Sequence, residues 1–259
     1  MYYVIFDTET LGLPKSYKGS PKDLTNFPQC IELAWGVYQN ELLTKKGYGL
    51  IAPCGWQIPD TQFHRDHGFT QLDSEAFGMP IGMVLDEFIR DVDGCGPDCV
   101  LVAHNMQFDS GVMASEFIRE GIRRNLDKID LTQPAVDSAR LMSFALQFKH
   151  KPQKLCTMEA GMNHFKIPKA ASQTYAGSAQ WKFPKLDEAY KLLFDKEPEQ
   201  SHRANADTAT AAAVFFELKR LGVITINEPI LPVQSPETTP NAPSNDVATQ
   251  SDAADGAAL

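Results

Sequence analysis

The sequence predicts an α/β domain built on one mixed β-sheet, followed by a disordered tail. Short apolar runs typical of buried strands come first, and longer segments with helical periodicity follow them. The final segment contains no aromatic residue. A chain of 259 residues is long enough for one domain with a sizeable core. We expect the domain to span residues 1–227 and the tail to span 228–259.

The strands of the predicted sheet are short and mostly apolar. The first three follow one another with short connections, as YYVIFD (2–7), CIELAWGVYQ (30–39) and the stretch 42–52. CVLVAHN (99–105) is a fourth, and a short strand or loop is expected at 135–138. Together they predict a mixed five-stranded sheet.

Helical periodicity appears between and after these strands. It predicts helices over 83–92, 107–121, 185–194 and 204–221. Gly222 follows the last of them, as is typical of a helix C-terminus. Helices alternating with strands are expected to cover the sheet.

The C-terminal segment differs from the rest in composition. It is rich in Pro, Ser, Thr, Asn, Asp and Ala, and it cannot bury enough apolar surface to offset its chain entropy. We expect residues 228–259 to be disordered. The segment is either a tether for a protein partner or an inert tail, and its composition favours the latter.

The net charge of −9 does not exclude an anionic substrate. Five of the 33 acids lie in the segment that begins at Glu228, which has no Lys or Arg, so 28 acids and 24 basic residues remain. If four of those 28 acids bind metal, residues 1–227 carry 24 other acids against 24 basic residues.

Composition also bears on location. No apolar run approaches the roughly 18 residues that a membrane span requires, so no membrane association is expected. A predicted strand begins at residue 2, which leaves no room for a signal peptide. Five cysteines at irregular positions fit a reducing compartment better than a disulfide framework. We therefore expect a cytoplasmic protein.

Two carboxylates follow the first strand. Asp7 and Glu9 are separated by Thr8, so they share one face of an extended chain. Carboxylates held together repel unless a cation lies between them or one is protonated. A similar pair in Asp73-Ser74-Glu75 lies in a polar stretch expected to be a loop, where solvated acids are the natural interpretation. The strand context of Asp7 and Glu9 instead favours a ligand site at the sheet edge.

A third acid opens the helix after VLVAHN. Asp109 shares a helical stripe with Val112, Met113 and Phe117, which predicts an inward-facing carboxylate. An acid in a first turn also interacts favourably with the helix dipole. On this segment alone the two interpretations are about equally good.

The last helix supplies a fourth acid. Asp207 heads an apolar stripe with Ala211, Val214, Leu218 and Leu221, so it is predicted to face inward. A buried carboxylate needs a partner, and a metal ion is one.

A histidine lies five residues before Asp207. The spacing places His202 off the buried face of that helix, so we expect it in the preceding loop, free to reach into the cleft. A lone histidine there would more simply be an ordinary surface residue.

Taken together, FDTET, HNMQFD and HRANAD resemble the motifs of the DEDDh, or DnaQ-like, family of 3′→5′ exonucleases. CIELAWGVY and KFPKLDEAYKLLF are also similar to that family's pattern, whereas Leu11 stands where many members carry a second Thr. The resemblance spans residues 1–222 and implies a ribonuclease H-like fold. It further implies a two-metal nuclease that releases nucleoside 5′-monophosphates from the free 3′ end of DNA or RNA. An exoribonuclease and a proofreading subunit acting in trans on a polymerase remain alternatives.

The resemblance also assigns roles, and the chemistry agrees. Two Mg²⁺ or Mn²⁺ ions are expected, because hard cations prefer oxygen ligands and can stabilise both ends of an in-line displacement. The four acids would bind them, Asp109 directly or through water. His202 would be the general base, since an unperturbed imidazole titrates near neutral pH. The expected catalytic residues are Asp7, Glu9, Asp109, His202 and Asp207, and the four acids among them are the expected metal ligands.

Substrate contacts follow from the same resemblance. Thr8, Thr10 and Leu11 are expected to line the pocket of the terminal nucleotide. Phe108 is expected either to stack on a base or to anchor its helix in the core. The basic run FKHKPQK (148–154) is a weaker candidate for phosphate contacts, because charge runs are more often simply solvated.

Three other functions fit parts of this pattern. A ribonuclease H-like endonuclease would use clustered acids but would not need His202. A binding-only relative would have lost an acid, and all four are present. A phosphatase of small molecules would act on nucleotides but not on polymers.

Overall fold

The computed structural model describes residues 1–127, 137–150, 153–170, 180–199 and 202–226. Its centre is one five-stranded sheet in the order β3-β2-β1-β4-β5. The first three strands pair antiparallel, whereas β1, β4 and β5 pair parallel. The strands are β1 (Tyr2–Thr10), β2 (Cys30–Gln39), β3 (Leu42–Leu50), β4 (Val100–Ala103) and β5 (Lys154–Cys156). The predicted mixed five-stranded α/β sheet is confirmed.

Eight helices among the described residues accompany the sheet. They are α1 (Gln62–Asp66), α2 (Gln71–Phe77), α3 (Ile81–Gly94), α4 (Met106–Asp127), α5 (Ser138–His150), α6 (Thr157–Phe165), α7 (Leu186–Phe194) and α8 (Ala204–Arg220).

The sheet is covered on both faces. One core contains Val4 and Phe6 of β1 with side chains of α3, α4 and α5, and the other contains Tyr3 and Ile5 with side chains of α7 and α8. Because both faces are buried, the central strands are apolar along most of their length rather than alternating. This two-sided packing fixes α4 and α8 on opposite faces of β1.

The C-terminal part of β1 extends beyond its parallel neighbour. Tyr3 to Ile5 pair with β4, while the antiparallel pairing with β2 continues to Glu9, which lies opposite Glu32. The register shifts between Glu9 and Thr10. Asp7 and Glu9 therefore lie past the end of β4, at the carboxyl edge where open α/β sheets bind ligands.

The last helix ends as its sequence predicts. Gly222 adopts a positive φ of 71°, and the N–H of Val223 bonds back to the carbonyl of Leu218 at 2.9 Å. This arrangement satisfies free carbonyls at the helix end, and glycine adopts the left-handed conformation without a Cβ clash.

One predicted element was wrong, and another lies partly outside the described residues. Asp73-Ser74-Glu75 lies in α2 rather than in a loop, because the Thr70 side chain accepts a hydrogen bond from the Asp73 N–H and caps that helix. The fifth strand is Lys154–Cys156, at the edge of the sheet. Of the segment 135–138 expected to be a strand or loop, residues 135–136 lie outside the described residues and Ser138 begins α5.

Predicted helix bounds differ mainly at α4. That helix runs to Asp127 rather than ending near Gly121, since the glycine packs against Met142 and the carbonyl of Ser138 on α5 instead of ending the helix.

The predicted tail, residues 228–259, lies outside the described residues. Within the described ranges no helix combines the length and apolar character needed to cross a membrane. All five cysteines are free thiols.

Candidate active site

The two acids of β1 lie on the side of the sheet that α8 covers. Alternation along the strand places Asp7 and Glu9 on the face of Tyr3 and Ile5, whereas Thr8 faces the α4 side. Both carboxylates are partly buried. The shared face expected from their spacing is confirmed.

Asp109 reaches β1 from the first turn of α4. Asp109 is only 2% exposed. Its Oδ1 accepts two hydrogen bonds from Thr8, one from the backbone N–H at 3.1 Å and one from Oγ1 at 2.7 Å. The inward orientation that the helical stripe predicts is therefore observed, and Thr8 ties the third acid to the strand that carries the first two.

Asp207 lies on α8, which covers the face of the sheet opposite to α4. Ala211, Val214 and Leu218 of its stripe are buried as predicted, but Leu221 is 44% exposed because it is the C-cap of the helix. The Thr208 hydroxyl donates to the carbonyl of Ala34 at 3.3 Å, which holds the first turn of α8 against β2. Asp207 is thereby placed beside the end of β1.

His202 lies in the loop before α8, as predicted. It is exposed and has a positive φ of 59°, a conformation that costs energy for a residue with a side chain. Its backbone N–H donates to Asp207 Oδ2 at 3.0 Å. Ligand atoms of Glu9, His202 and Asp207 all lie within 4.8 Å of one another.

Burial and mutual repulsion raise the pKa values of the four acids. Burial, followed by repulsion from Asp109, Glu9 and Asp207, raises the pKa of Asp7 well above its usual range. Burial and repulsion from neighbouring acids, Asp207 foremost, raise the pKa of Glu9 to about 8. Such a cluster is costly when all its members are ionised.

The other two acids follow the same pattern. Burial is the main cause that raises the pKa of Asp109 to about 7, against the hydrogen bonds from Thr8. Burial likewise raises the pKa of Asp207 to about 6. Converging carboxylate oxygens of this kind are the donor set that a hard divalent cation prefers, so the residues fit the expected ions.

A cavity of about 450 Å³ opens next to Glu9. Its lining includes all four residues predicted to contact substrate, Thr8, Thr10, Leu11 and Phe108. The volume falls within the range of small-ligand pockets. Phe108 is partly buried and also packs against the core, so both of its proposed roles are compatible with its position.

The sequence did not predict that α1 contributes to this cavity. Phe63 and His64 of α1, together with Thr61 before it, line the cavity along with the residues of β1. The rings of Phe63 and His67 lie 5.6 Å and 4.4 Å from that of His202. The sequence around α1 has no motif or long periodic stripe, so its approach to the site could not have been foreseen.

A fifth acid was also missed. Glu32, fully buried on β2 opposite Glu9, is paired with Arg203, the residue after His202. An acid in the apolar strand CIELAWGVYQ was the only available signal, and an acid in such a run requires a partner.

Most of the basic run FKHKPQK cannot be compared with the site. The side chains of Lys149 and His150, and all of Lys151, lie outside what the structure describes. Lys154 begins β5, and its Nζ lies 5.1 Å from the centre of the Phe148 ring.

The fold is shared with solved structures of exonuclease I. The enzyme of Methylocaldum szegediense superposes with a TM-score of 0.54 and 12% identity over 85% of this chain and 40% of that chain. Escherichia coli exonuclease I in complex with a dT13 oligonucleotide gives a TM-score of 0.54 and 14% identity, over 85% and 42%. Its complex with a dA16 oligonucleotide gives a TM-score of 0.53 and 14% identity, over 85% and 41%.

This chain thus spans about 40% of the length of these exonucleases. No protein-family model and no curated protein sequence matches it. At such identities the likeness concerns the fold. The expected ribonuclease H-like sheet flanked by helices is confirmed.

Proposed function

We propose that this chain is a metal-dependent 3′→5′ exonuclease that hydrolyses phosphodiester bonds of DNA or RNA and releases nucleoside 5′-monophosphates. One observation carries the proposal. Four carboxylates from three separate elements, Asp7, Glu9, Asp109 and Asp207, converge beside a nucleotide-sized cavity with His202 at the same place. The polarity rests on the resemblance of the three motifs.

The metal requirement follows from the charges. The four acids would hold Mg²⁺ or Mn²⁺, and two bound ions would supply the positive charge that stabilises the attacking and leaving oxygens of an in-line displacement. Ionised together without cations, these partly buried groups repel one another, as their raised pKa values indicate.

His202 is suited to the role of general base. Its imidazole is exposed in a loop, while its backbone is tied to Asp207, so the ring is fixed beside the acids yet open to water. We infer that it removes a proton from the attacking water as the oxygen adds to phosphorus. The bond from phosphorus to the 3′ oxygen of the penultimate nucleotide breaks. That oxygen leaves with the bonding electron pair and takes a proton from water, and the released nucleotide keeps the phosphate on its 5′ oxygen.

The cavity would hold the terminal nucleotide. Backbone and side chains of Thr8, Thr10 and Leu11 form one wall, and the aromatic rings of Phe63 and Phe108 supply surfaces on which a base can stack. Stacking does not depend on base identity, which suits an enzyme that removes successive nucleotides. The exonuclease I structures with bound oligonucleotides support a nucleic acid strand as substrate.

Digestion of end-labelled oligomers tests the proposal. With 5′-labelled single-stranded DNA and RNA and magnesium, we expect a ladder that shortens from the 3′ end. The 3′-labelled strand should release its label first as a mononucleotide, and circular DNA should persist. Cleavage of the circle would indicate an endonuclease, and phosphate release from mononucleotides alone would indicate a phosphatase. Either result, or no hydrolysis of any substrate, contradicts the proposal.

A further inference from the structure

Arg203 stands between the candidate base and the last helix. It follows His202 directly, and its carbonyl accepts hydrogen bonds from the N–H groups of Ala206 and Asp207 at 2.9 Å. The backbone of Arg203 is thus the N-cap of α8 and opens the first turn, which contains Asp207. Any displacement of Arg203 moves both His202 and Asp207.

The side chain of Arg203 is held on several sides. Its guanidinium pairs with Glu32 through Nη2 and through Nε, which lies 3.0 Å and 3.2 Å from the two carboxylate oxygens. It lies 5.3 Å from the centre of the buried Phe69 ring. Planar guanidinium groups favour both contacts. The side chain therefore joins β2 to the segment between α1 and α2.

Glu32 has a full set of partners. Tyr48 of β3 donates its hydroxyl to Oε1 at 2.7 Å, and the N–H of Ala204 donates to Oε2 at 3.1 Å. The Glu32 side chain is 0% exposed, while that of Arg203 is 30% exposed. A buried carboxylate with two neutral donors and one guanidinium is fixed in a single geometry.

The loop at His202 requires such an anchor. Its positive φ is unfavourable for a residue with a side chain, and strained residues persist only where their surroundings hold them. The ring of His202 contacts Phe63 and His67, and the Glu32–Arg203 pair fixes the backbone on its other side.

We propose that Glu32 and Arg203 are positioning residues that hold the turn at His202 and the first turn of α8 in the geometry the reaction needs. The inference rests on the proposed exonuclease function. It assigns Arg203 no contact with the substrate phosphate, because its guanidinium is engaged by the buried Glu32. An arginine next to the candidate base would otherwise be taken for a phosphate-binding residue.

Two conservative variants separate these roles. Arg203→Lys keeps the positive charge but loses the planar fork, and Glu32→Gln keeps an acceptor for Tyr48 but removes the charge that holds Arg203. If the pair positions His202, both variants should lower kcat about 10- to 100-fold and leave KM within about 3-fold of wild type. If Arg203 bound phosphate, Glu32→Gln would release it for substrate, so KM would fall or stay constant and kcat would be retained.

The matched control lies on the same helix. Glu217 and the exposed Arg220 form an ion pair in the last turn of α8, at the other end of the helix from Asp207. The variants Glu217→Gln and Arg220→Gln should retain wild-type kcat and KM.

A second measurement does not depend on nuclease activity. In protein labelled at its six histidines, the His202 ring resonances should shift in Arg203→Lys and Glu32→Gln, because the ring leaves Phe63 and His67. Those of His104, which is bonded to Thr157 and to the carbonyl of Pro184, should not change.

The outcomes are distinct. A selective fall in kcat together with a selective shift of His202 supports the proposal. It is overturned by unchanged kcat with unchanged His202 resonances, by a change in KM alone, or by a general shift of all histidines with a lowered Tm, which would indicate only a structural pair. If the wild-type protein shows no hydrolysis, the exonuclease proposal fails, and the resonances of His202 still decide whether the pair positions that loop.

Discussion

Thr8 donates two hydrogen bonds to Asp109, from its backbone N–H at 3.1 Å and from Oγ1 at 2.7 Å, although the two residues are 101 positions apart. The residue that separates Asp7 from Glu9 thus orients the third carboxylate of the site. Hydrogen bonds to a charged acceptor contribute more than those to a neutral one. Thr8 therefore links β1 and α4 within the candidate metal site.

Thr8→Val should weaken this link while keeping the side-chain volume. We expect kcat/KM to fall on the order of 10-fold and the magnesium concentration at half-maximal rate to rise, because Asp109 loses a charge-assisted bond. Initial rates over a magnesium titration measure both quantities. Thr44→Val is the control, since the Thr44 hydroxyl on the edge strand β3 donates to the carbonyl of Val37 and contacts none of the four acids. Equal effects of the two substitutions would refute the role of Thr8.

The raised carboxylate pKa values predict how metal-free stability depends on pH. Folding raises the pKa values of Glu9 to about 8, Asp109 to about 7 and Asp207 to about 6, so the folded protein binds more protons than the unfolded chain above pH 4.5. The free energy of unfolding should then decrease as pH rises from 5 to 8. Calorimetry in a chelator should show a falling Tm across this window.

Magnesium should reverse that trend. Cations bind the ionised carboxylates, so the increase in Tm on adding magnesium should grow between pH 5 and pH 8. In Asp207→Asn the pH dependence without metal should be shallower. A magnesium effect that is the same at both pH values would contradict a site built from these acids.

Replacement of Phe108 separates its two possible roles. It lines the cavity and also packs against the core, so Phe108→Leu keeps apolar volume but removes the aromatic face. If the ring stacks on a base, KM for oligomers should rise about 10-fold, given a stacking contribution of about 1–3 kcal/mol. Kinetics and thermal melts of the same preparation decide the matter. A lower Tm with wild-type KM would assign Phe108 to the core alone.

His202→Ala tests the general base. The rate should fall roughly 10²- to 10⁴-fold, the usual range for removal of such a group. Calorimetric titration should still detect magnesium binding, because the four carboxylates remain. Wild-type turnover in the variant, or failure caused by lost metal binding, would show that His202 has another role.

Local periodicity predicted much of this arrangement. The two-residue spacing of Asp7 and Glu9 places them on one face of any strand, and the stripe behind Asp207 turns that acid inward on any helix. Both inferences concern residues close in sequence.

Contacts between distant segments could not be predicted in the same way. The pairing of Glu32 with Arg203 joins residues 171 positions apart, and α1 is a five-residue helix too short for periodicity to reveal. The three-residue strand β5 and the capped helix α2 were missed for the same reason. The contribution of α1 to the cavity and the Glu32–Arg203 pair are therefore known only from the folded chain.

Hydrolysis of a 5′-labelled single-stranded oligomer by wild-type protein and by Asp7→Asn, at equal concentration in magnesium, tests the central claim most directly. Asp109, Glu9 and Asp207 all repel the carboxylate of Asp7. The substitution Asp7→Asn removes that charge and keeps the shape of the side chain. We expect the wild type to produce a ladder of products shortened from the 3′ end. Asp7→Asn should produce none, with a Tm at or above that of the wild type in chelator. A ladder of equal rate from Asp7→Asn would contradict the claim that these carboxylates form a metal-dependent nuclease site.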